Sequence, residues 1–329
     1  MDKKYLALGI LIVCTISLFV GLFSPKKQTE YLNLKSETNL LQNIDIPTNK
    51  IALLNIEGAI SADMEVNSWT NSFSVNNFLA SLEKANKDNT VKAIIIRINS
   101  PGGTVAASQD IYDALMRTRK HKPIVVSMAD VAASGGYYIA SAADRIVAQK
   151  GTMTGSIGVI FNFLEAKELA DKIGISSNVI KSGSFKDSGS MYRKMTAGEE
   201  DLFRNSVMQA YEQFITAIED GRIKRKDVYL GERRNLTIEI LKKYADGRVF
   251  LGEEAYQLGF IDMLGSQYDA QLLASAMAGY KTILPIVPYN KINGLASILM
   301  NFENKFFSPL KNLLPFSYKH SSQPLAIWE

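Results

Sequence analysis

Val91-Lys92-Ala93-Ile94-Ile95-Ile96-Arg97-Ile98-Asn99-Ser100-Pro101-Gly102-Gly103-Thr104 is the stretch that decides the fold. Residues 91 to 98 are so apolar that both faces of an extended segment would be buried, as in a strand covered on both sides. The segment ends in a Pro-Gly-Gly turn, and a helical pattern follows from Ala106 to Arg119. Strand, tight turn and helix in that order make a unit of a parallel α/β sheet. Similar units flank it. Lys50 to Ile56 reads as a strand and Val75 to Lys87 as a helix on one side; Pro123 to Met128 reads as a strand and Gly136 to Ala143 as a helix on the other. Strands are further expected at Arg145 to Ala148, Ile157 to Asn162 and Asn178 to Ile180, with helices within Glu165 to Ile173 and from Ala197 to about Asp220.

The composition excludes several classes. The 329 residues carry 37 Lys+Arg against 33 Asp+Glu, a net charge of +4, with 47% hydrophobic and 21% charged residues. These are globular values, and the small net charge implies no nucleic-acid partner. The basic excess between Gly221 and Arg248 has no aromatic or groove-reading motif beside it and reads as a solvated face. The sole cysteine, Cys14, rules out disulfides within the chain, cysteine-based metal sites and a thiol nucleophile in the core, and only two histidines, His121 and His320, are present. No metal or cofactor is expected.

Tyr5 to Phe23 is free of charge, and as a helix these 19 residues would span about 28 Å at roughly 1.5 Å per residue. The stretch is long for a cleaved secretory signal and no A-x-A-like site follows it, so residues 1–23 are expected to be a transmembrane anchor. A lipoprotein signal is disfavoured by Val13 before Cys14. Lys3 and Lys4 on one side balance Lys26 and Lys27 on the other, which leaves the orientation open. Residues 24–49 read as a polar stalk, residues 50–284 as the α/β domain, and residues 285–329 as an amphipathic, loosely attached tail.

Two glycine-rich turns carry the chemistry. Ser100-Pro101-Gly102-Gly103 follows a buried strand, where α/β proteins place ligands, and its paired glycines allow close backbone approach. Alone, it also reads as a plain connection, and it lacks the pattern of a phosphate loop. The second turn, Ala132-Ala133-Ser134-Gly135-Gly136-Tyr137-Tyr138, sets a serine among small residues, similar in logic to a nucleophile elbow although Ala132 replaces the first glycine. The Gly135 N–H is placed to help stabilise an oxyanion. A serine hydroxyl needs a base. His121 precedes the strand that ends near Ser134 and should lie at its opposite end, and His320 is in the tail, so a Ser-His-Asp triad is not expected. Lysine remains, since it can serve when neutral. Lys181 and Lys186 stand out in Lys181-Ser182-Gly183-Ser184-Phe185-Lys186-Asp187, and spacing does not choose between them.

These motifs, with Thr154-Gly155-Ser156-Ile157-Gly158-Val159 and Asp246-Gly247-Arg248-Val249-Phe250, resemble the signal peptide peptidase A family of serine proteases over roughly residues 50 to 280. The resemblance implies a crotonase-like or Clp-protease-like α/β fold. It implies Ser134 as nucleophile, Lys186 rather than Lys181 as general base, the Gly103 and Gly135 N–H groups as oxyanion hole, and Ser156 as the residue orienting the lysine amine. It also implies a bacterial inner-membrane peptidase with its catalytic domain outside the cytoplasm, acting on hydrophobic peptides such as released signal-peptide fragments. Long members hold two tandem units. This sequence shows one, which resembles the short form that assembles into homo-oligomeric rings. Other function classes on the same fold are a catalytically silent, membrane-anchored scaffold and acyl-CoA chemistry.

Overall fold

Alternating burial of β-branched residues builds the sheet. The computed structural model describes residues 49–62, 73–224 and 236–290. Within the unit that begins at Asn49, the first strands are β1 (Lys50–Glu57), β2 (Val91–Ser100) and β3 (Ile124–Ala133), all parallel. Along β2, Ile94, Ile96 and Ile98 join a core on one face, while Ala93 and Ile95 join a second core on the other. The sequence expectation of a doubly buried strand is thus met.

Three helices cover the first face: α1 (Val75–Lys87), α2 (Val105–Thr118) and α3 (Gly135–Ala140). Ser74 caps α1 by accepting a hydrogen bond from the Asn77 N–H at 3.3 Å, satisfying a donor that the helix leaves unpaired. Beyond α3 come β4 (Arg145–Ala148), β5 (Met153–Gly155), α4 (Lys167–Lys172) and α5 (Ala197–Ile218), the last followed by a π-helical turn at Glu219–Ile223. A reciprocal pair, Thr196 and Glu199, caps α5. The chain then forms α6 (Ile238–Tyr244), β6 (Val249–Leu251), α7 (Gly252–Leu258), β7 (Met263–Leu264), α8 (Gln267–Met277) and β8 (Ile286–Pro288). Ala270 and Ala274 of α8 seal the second face.

The strand order is β6-β5-β3-β2-β1-β8, with β4 pairing β3 and β7 off this path. Every pairing is parallel except β5 with β6. β3 serves two partners in succession: Val125–Ser127 pair with β4, and Val131–Ala133 pair with β5. This division delivers Ser134, the residue after β3, to a place where two branches of the sheet part.

Four local expectations change. Ile157 to Asn162 forms no strand; the positive φ of Gly155 (79°) and Ser156 (49°) turns the chain off the sheet one residue earlier, so the extended pairing belongs to Met153–Gly155. Asn178 to Ile180 pairs with no strand and is exposed. β3 runs five residues past Met128, because Val131, Ala132 and Ala133 find partners in Met153, Thr154 and Gly155. Ile286–Pro288, expected in the loose tail, joins the sheet edge beside β1, and Tyr289 and Asn290 add bonds to Asp88 and Asn55. The apolar stretch Tyr5 to Phe23, the stalk up to Thr48 and residues 291–329 lie outside the described residues. Among the described residues, no helix is long and apolar enough to cross a membrane.

Candidate active site

Ser134 occupies the sharp bend between β3 and α3 with φ 51° and ψ −120°, a conformation that a residue with a Cβ adopts only under constraint. The constraint is visible on both sides. The Ser134 N–H donates to the Gly155 carbonyl at 2.8 Å, extending the β3–β5 ladder, and the Ser134 carbonyl accepts from Tyr138 N–H at 2.9 Å, opening α3. The side chain is half-buried.

The Pro-Gly-Gly turn closes against this bend. Ser100 Oγ accepts from Gly102 N–H at 3.1 Å, and Gly102 takes φ 105°. A Cβ at Gly102 would lie 2.7 Å from Gly135 N and 2.8 Å from Ser134 Cβ, so only glycine lets the two turns touch. Ile60 then fixes the next residue: its N–H donates to Gly102 O at 2.9 Å and its carbonyl accepts from Thr104 N–H at 2.8 Å. In a parallel bridge of this kind the middle residue, Gly103, turns its own N–H away from Ile60. That nitrogen would lie 3.1 Å from a Cβ placed on Gly135, so it sits beside the Ser134 bend. The Gly135 N–H stands at the start of α3, where no helical carbonyl can reach it. Neither N–H has an acceptor among the described residues. Two free donors therefore adjoin one half-buried hydroxyl, the arrangement that can hold an oxyanion.

Small residues around Ser134 leave room for a substrate to reach its hydroxyl. Packing supplies a further reason. A Cβ on Gly135 would lie 2.4 Å from Ser108 Oγ of α2, and one on Gly136 would lie 3.1 Å from the Ser100 carbonyl. Tyr137 and Tyr138 are structural: Tyr137 donates its hydroxyl to Phe260 O at 2.9 Å, and Tyr138 packs between Tyr112 and Phe214.

Ser156 follows Gly155, whose register partner Ala133 precedes Ser134, so the two serines leave adjacent strands side by side. Ser156 N–H donates to Arg248 O at 2.7 Å, and Gly247 N–H donates to Ile157 O at 3.0 Å. Asp246 holds Arg248 through an ion pair at 2.6 Å. The Asp246–Phe250 motif thus clamps the strand end carrying Ser156, a task that spacing alone did not reveal. Gly155 is required there, since its Cβ would lie 2.4 Å from the Phe250 ring.

Lys186 lies elsewhere in the chain's bonding scheme. It is exposed, in a turn closed by Lys186 N–H donating to Gly183 O at 3.2 Å, and its amine donates to no described residue. Lys181 differs: its amine donates to Asp187 Oδ1 at 2.6 Å and Ser184 O at 2.9 Å. Gly103, Gly135, Ser134 and Ser156 are brought together, whereas no hydrogen bond or ion pair joins Lys186 to them. The segment bearing Lys186 also exposes Ile160, Phe161, Leu164, Ile180 and Phe185. His121 precedes β3 and Ser134 follows it, so ten strand residues, roughly 33 Å at about 3.3 Å each, separate them.

The family model for peptidase family S49 matches residues 116–281, a span that holds Ser134, Ser156, Lys186 and the Asp246 motif. The chain belongs to this family. A Clp protease model matches residues 50–154, which adds Gly103 and the first βαβ units of the α/β sheet. The chain is 34% identical to the signal peptide peptidase SppA of Enterococcus faecium over 67% of its own length and 61% of that protein. It is 33% identical to Protease 4 of Haemophilus influenzae over 70% of its length and 35% of that protein. A chloroplast serine protease SPPA of Arabidopsis thaliana is 36% identical over 61% of this chain and 27% of the plant protein. The chain therefore spans less than two thirds of each of these family S49 relatives.

Proposed function

We propose that this chain is a membrane-anchored serine endopeptidase in which Ser134 attacks the peptide carbonyl and Lys186 is the general base. One observation carries the reading: a strained, half-buried Ser134 beside two N–H groups, of Gly103 and Gly135, that no acceptor occupies among the described residues. Strain of this kind persists where the surroundings over-determine it, and it projects the hydroxyl from the backbone. The neutral amine of Lys186 takes the proton from Ser134 Oγ as the Oγ–carbon bond forms. Negative charge then gathers on the former carbonyl oxygen, where the Gly103 and Gly135 N–H groups receive it. The ammonium returns its proton to the leaving amine, the peptide C–N bond breaks, and an ester on Ser134 remains. Water attacks that ester, the same amine accepting its proton and passing it to Ser134 Oγ as the acyl C–O bond breaks, which releases the carboxyl product and restores both residues. Ser156, beside Ser134, orients the amine through its hydroxyl.

Among the described residues no hydrogen bond or ion pair joins Lys186 to Ser134, and in this reading the lysine comes from a neighbouring copy in a closed ring. The exposed apolar side chains around Lys186 suit burial against such a neighbour. Substrates are hydrophobic peptides, signal-peptide fragments among them, as the name of the Enterococcus relative suggests. Tyr5 to Phe23 anchors the protein in a bacterial inner membrane with residues 24–329 outside the cytoplasm; protease added to intact spheroplasts should cut the stalk, and protection until lysis would reverse that orientation.

Mixing tests the dyad and its placement. Ser134→Ala and Lys186→Ala subunits, each inactive in peptide hydrolysis, should regain activity when exchanged into common rings. Proven mixed rings without recovered activity would place both residues of a working pair in one chain, and full activity of either single variant would remove it from the dyad.

A further inference from the structure

Lys186 must reach its serine from a turn that is largely exposed, so something other than core packing has to hold it. The turn Gly183–Gly189 is closed by backbone bonds of 3.2 Å from Lys186 N–H to Gly183 O and from Ser188 N–H to Phe185 O. Such bonds at an exposed site restrain a lysine weakly. The residue next to Lys186 supplies a firmer tie. Asp187 is 12% exposed and meets the Arg193 guanidinium edge-on: Nε donates to Oδ2 at 2.9 Å and Nη2 donates to Oδ1 at 2.8 Å. Nη2 donates also to the Asp187 main-chain carbonyl at 3.1 Å.

The other side of the same guanidinium faces Glu199. Nη1 donates to Glu199 Oε2 at 2.8 Å, and Nη2 donates to Oε1. Glu199 is 2% exposed and its Oε2 accepts the Thr196 N–H at 2.8 Å, closing the cap of the 22-residue helix α5. Arg193 Nη1 donates finally to Lys194 O at 3.1 Å. A planar fork binding two carboxylates at once is a geometry that arginine offers and lysine does not.

We propose that Arg193 is a positioning residue for Lys186: through Asp187 it locks the lysine-bearing turn to the start of α5, so that the amine is delivered to Ser134 in one orientation. The proposal rests on the reading of Lys186 as the general base. It goes further by assigning the orientation to a guanidinium that touches neither substrate nor the reacting atoms. A base displaced by about 1 Å can lose on the order of 100-fold in rate, which sets the scale of the effect.

The test uses the full-length protein, with thermal unfolding and sedimentation recorded for each variant. Arg193→Gln and Asp187→Asn should each lower kcat roughly 10- to 100-fold while KM moves by less than about twofold, the pattern of a transition-state defect. The rate at which a fluorophosphonate acylates Ser134 should fall in parallel. The double variant should be no worse than either single one, because both cut the same tie. Arg193→Lys, which can bond one carboxylate but not grip both, should fall between. Normal kcat and normal acylation in a folded, assembled Arg193→Gln protein would overturn the proposal, as would multiplicative losses in the double variant. Where Arg193→Gln does not fold or assemble, Asp187→Asn and Arg193→Lys decide by the same criteria. Lys186→Ala run alongside separates the two levels: if it keeps activity, the dyad itself is wrong; if it is inactive while the Arg193 variants are normal, only the positioning role fails.

Discussion

Strain at Ser134 can be measured without measuring catalysis, by comparing Ser134→Gly with Ser134→Ala. Both lack the hydroxyl, so they differ only in the Cβ. With φ 51° and ψ −120°, alanine keeps the unfavourable backbone that serine has, whereas glycine adopts it freely. Relief of such strain is worth about 1–3 kcal/mol. Against it stand the entropy that glycine adds to the unfolded chain, about 0.5–1 kcal/mol, and the packing of one half-buried carbon, under about 0.8 kcal/mol. Central values leave about 1 kcal/mol in favour of glycine, or a melting temperature roughly 2–4 °C higher in a domain of this size. Scanning calorimetry of the two variants, at equal concentration and with assembly matched, gives the comparison directly. A glycine variant that melts at or below the alanine variant would refute the argument that the turn is held under strain by the Gly155 and Tyr138 bonds.

Lys186→Arg should be inactive although it keeps the charge, because a guanidinium does not give up its proton in proteins, while Lys181→Arg should retain substantial activity since Lys181 already serves as an ion-pair donor to Asp187; peptide hydrolysis by the two variants ranks them. Gly102→Ala should cost at least about 100-fold in kcat/KM, because its Cβ would press on Gly135 N and Ser134 Cβ and displace the anion-binding turn; steady-state kinetics on the folded variant checks this. The Arg193 guanidinium, bonded to Asp187 and to Glu199, holds both carboxyls below their usual range. Since the folded values lie below the unfolded ones, the stability they lend is complete above about pH 4–5 and is lost as the pH falls further. Hydrogen-exchange protection factors of residues 183–199, corrected for the intrinsic pH dependence of exchange, should therefore be steady from neutrality to about pH 5 and fall in more acid solution.

How far the sequence could be read depended on whether one residue's environment is set nearby or far along the chain. Val91 to Ile98 announced a doubly buried strand because its apolar run is continuous, and Ile94 and Ile95 do face opposite cores. Ala129-Asp130-Val131-Ala132-Ala133 carries little strand preference of its own, and its extension comes from pairing with Met153–Gly155, which no local pattern announces. The reverse error, strands at Ile157 to Asn162 and Asn178 to Ile180, took apolar content for burial where the structure exposes Ile160, Phe161 and Ile180. At the site, the glycine turns were legible because close approach demands glycine. Spacing does not choose between Lys181 and Lys186, and the contact that distinguishes them, Lys181 donating to Asp187, is made by folding of the loop and not announced by its sequence. Arg193 escaped notice for the same reason: its importance lies in joining Asp187 to Glu199, and in sequence it is one basic residue among 37.

Covalent capture tests most directly whether Ser134 is the nucleophile. Incubated with a fluorophosphonate and analysed by intact mass and peptide mapping, the wild-type protein should gain one adduct per chain on the peptide containing Ser134, with loss of peptidase activity in step, and Ser134→Ala should gain none. An unmodified Ser134 in protein that hydrolyses peptides, or a Ser134→Ala variant that still turns over, would contradict it.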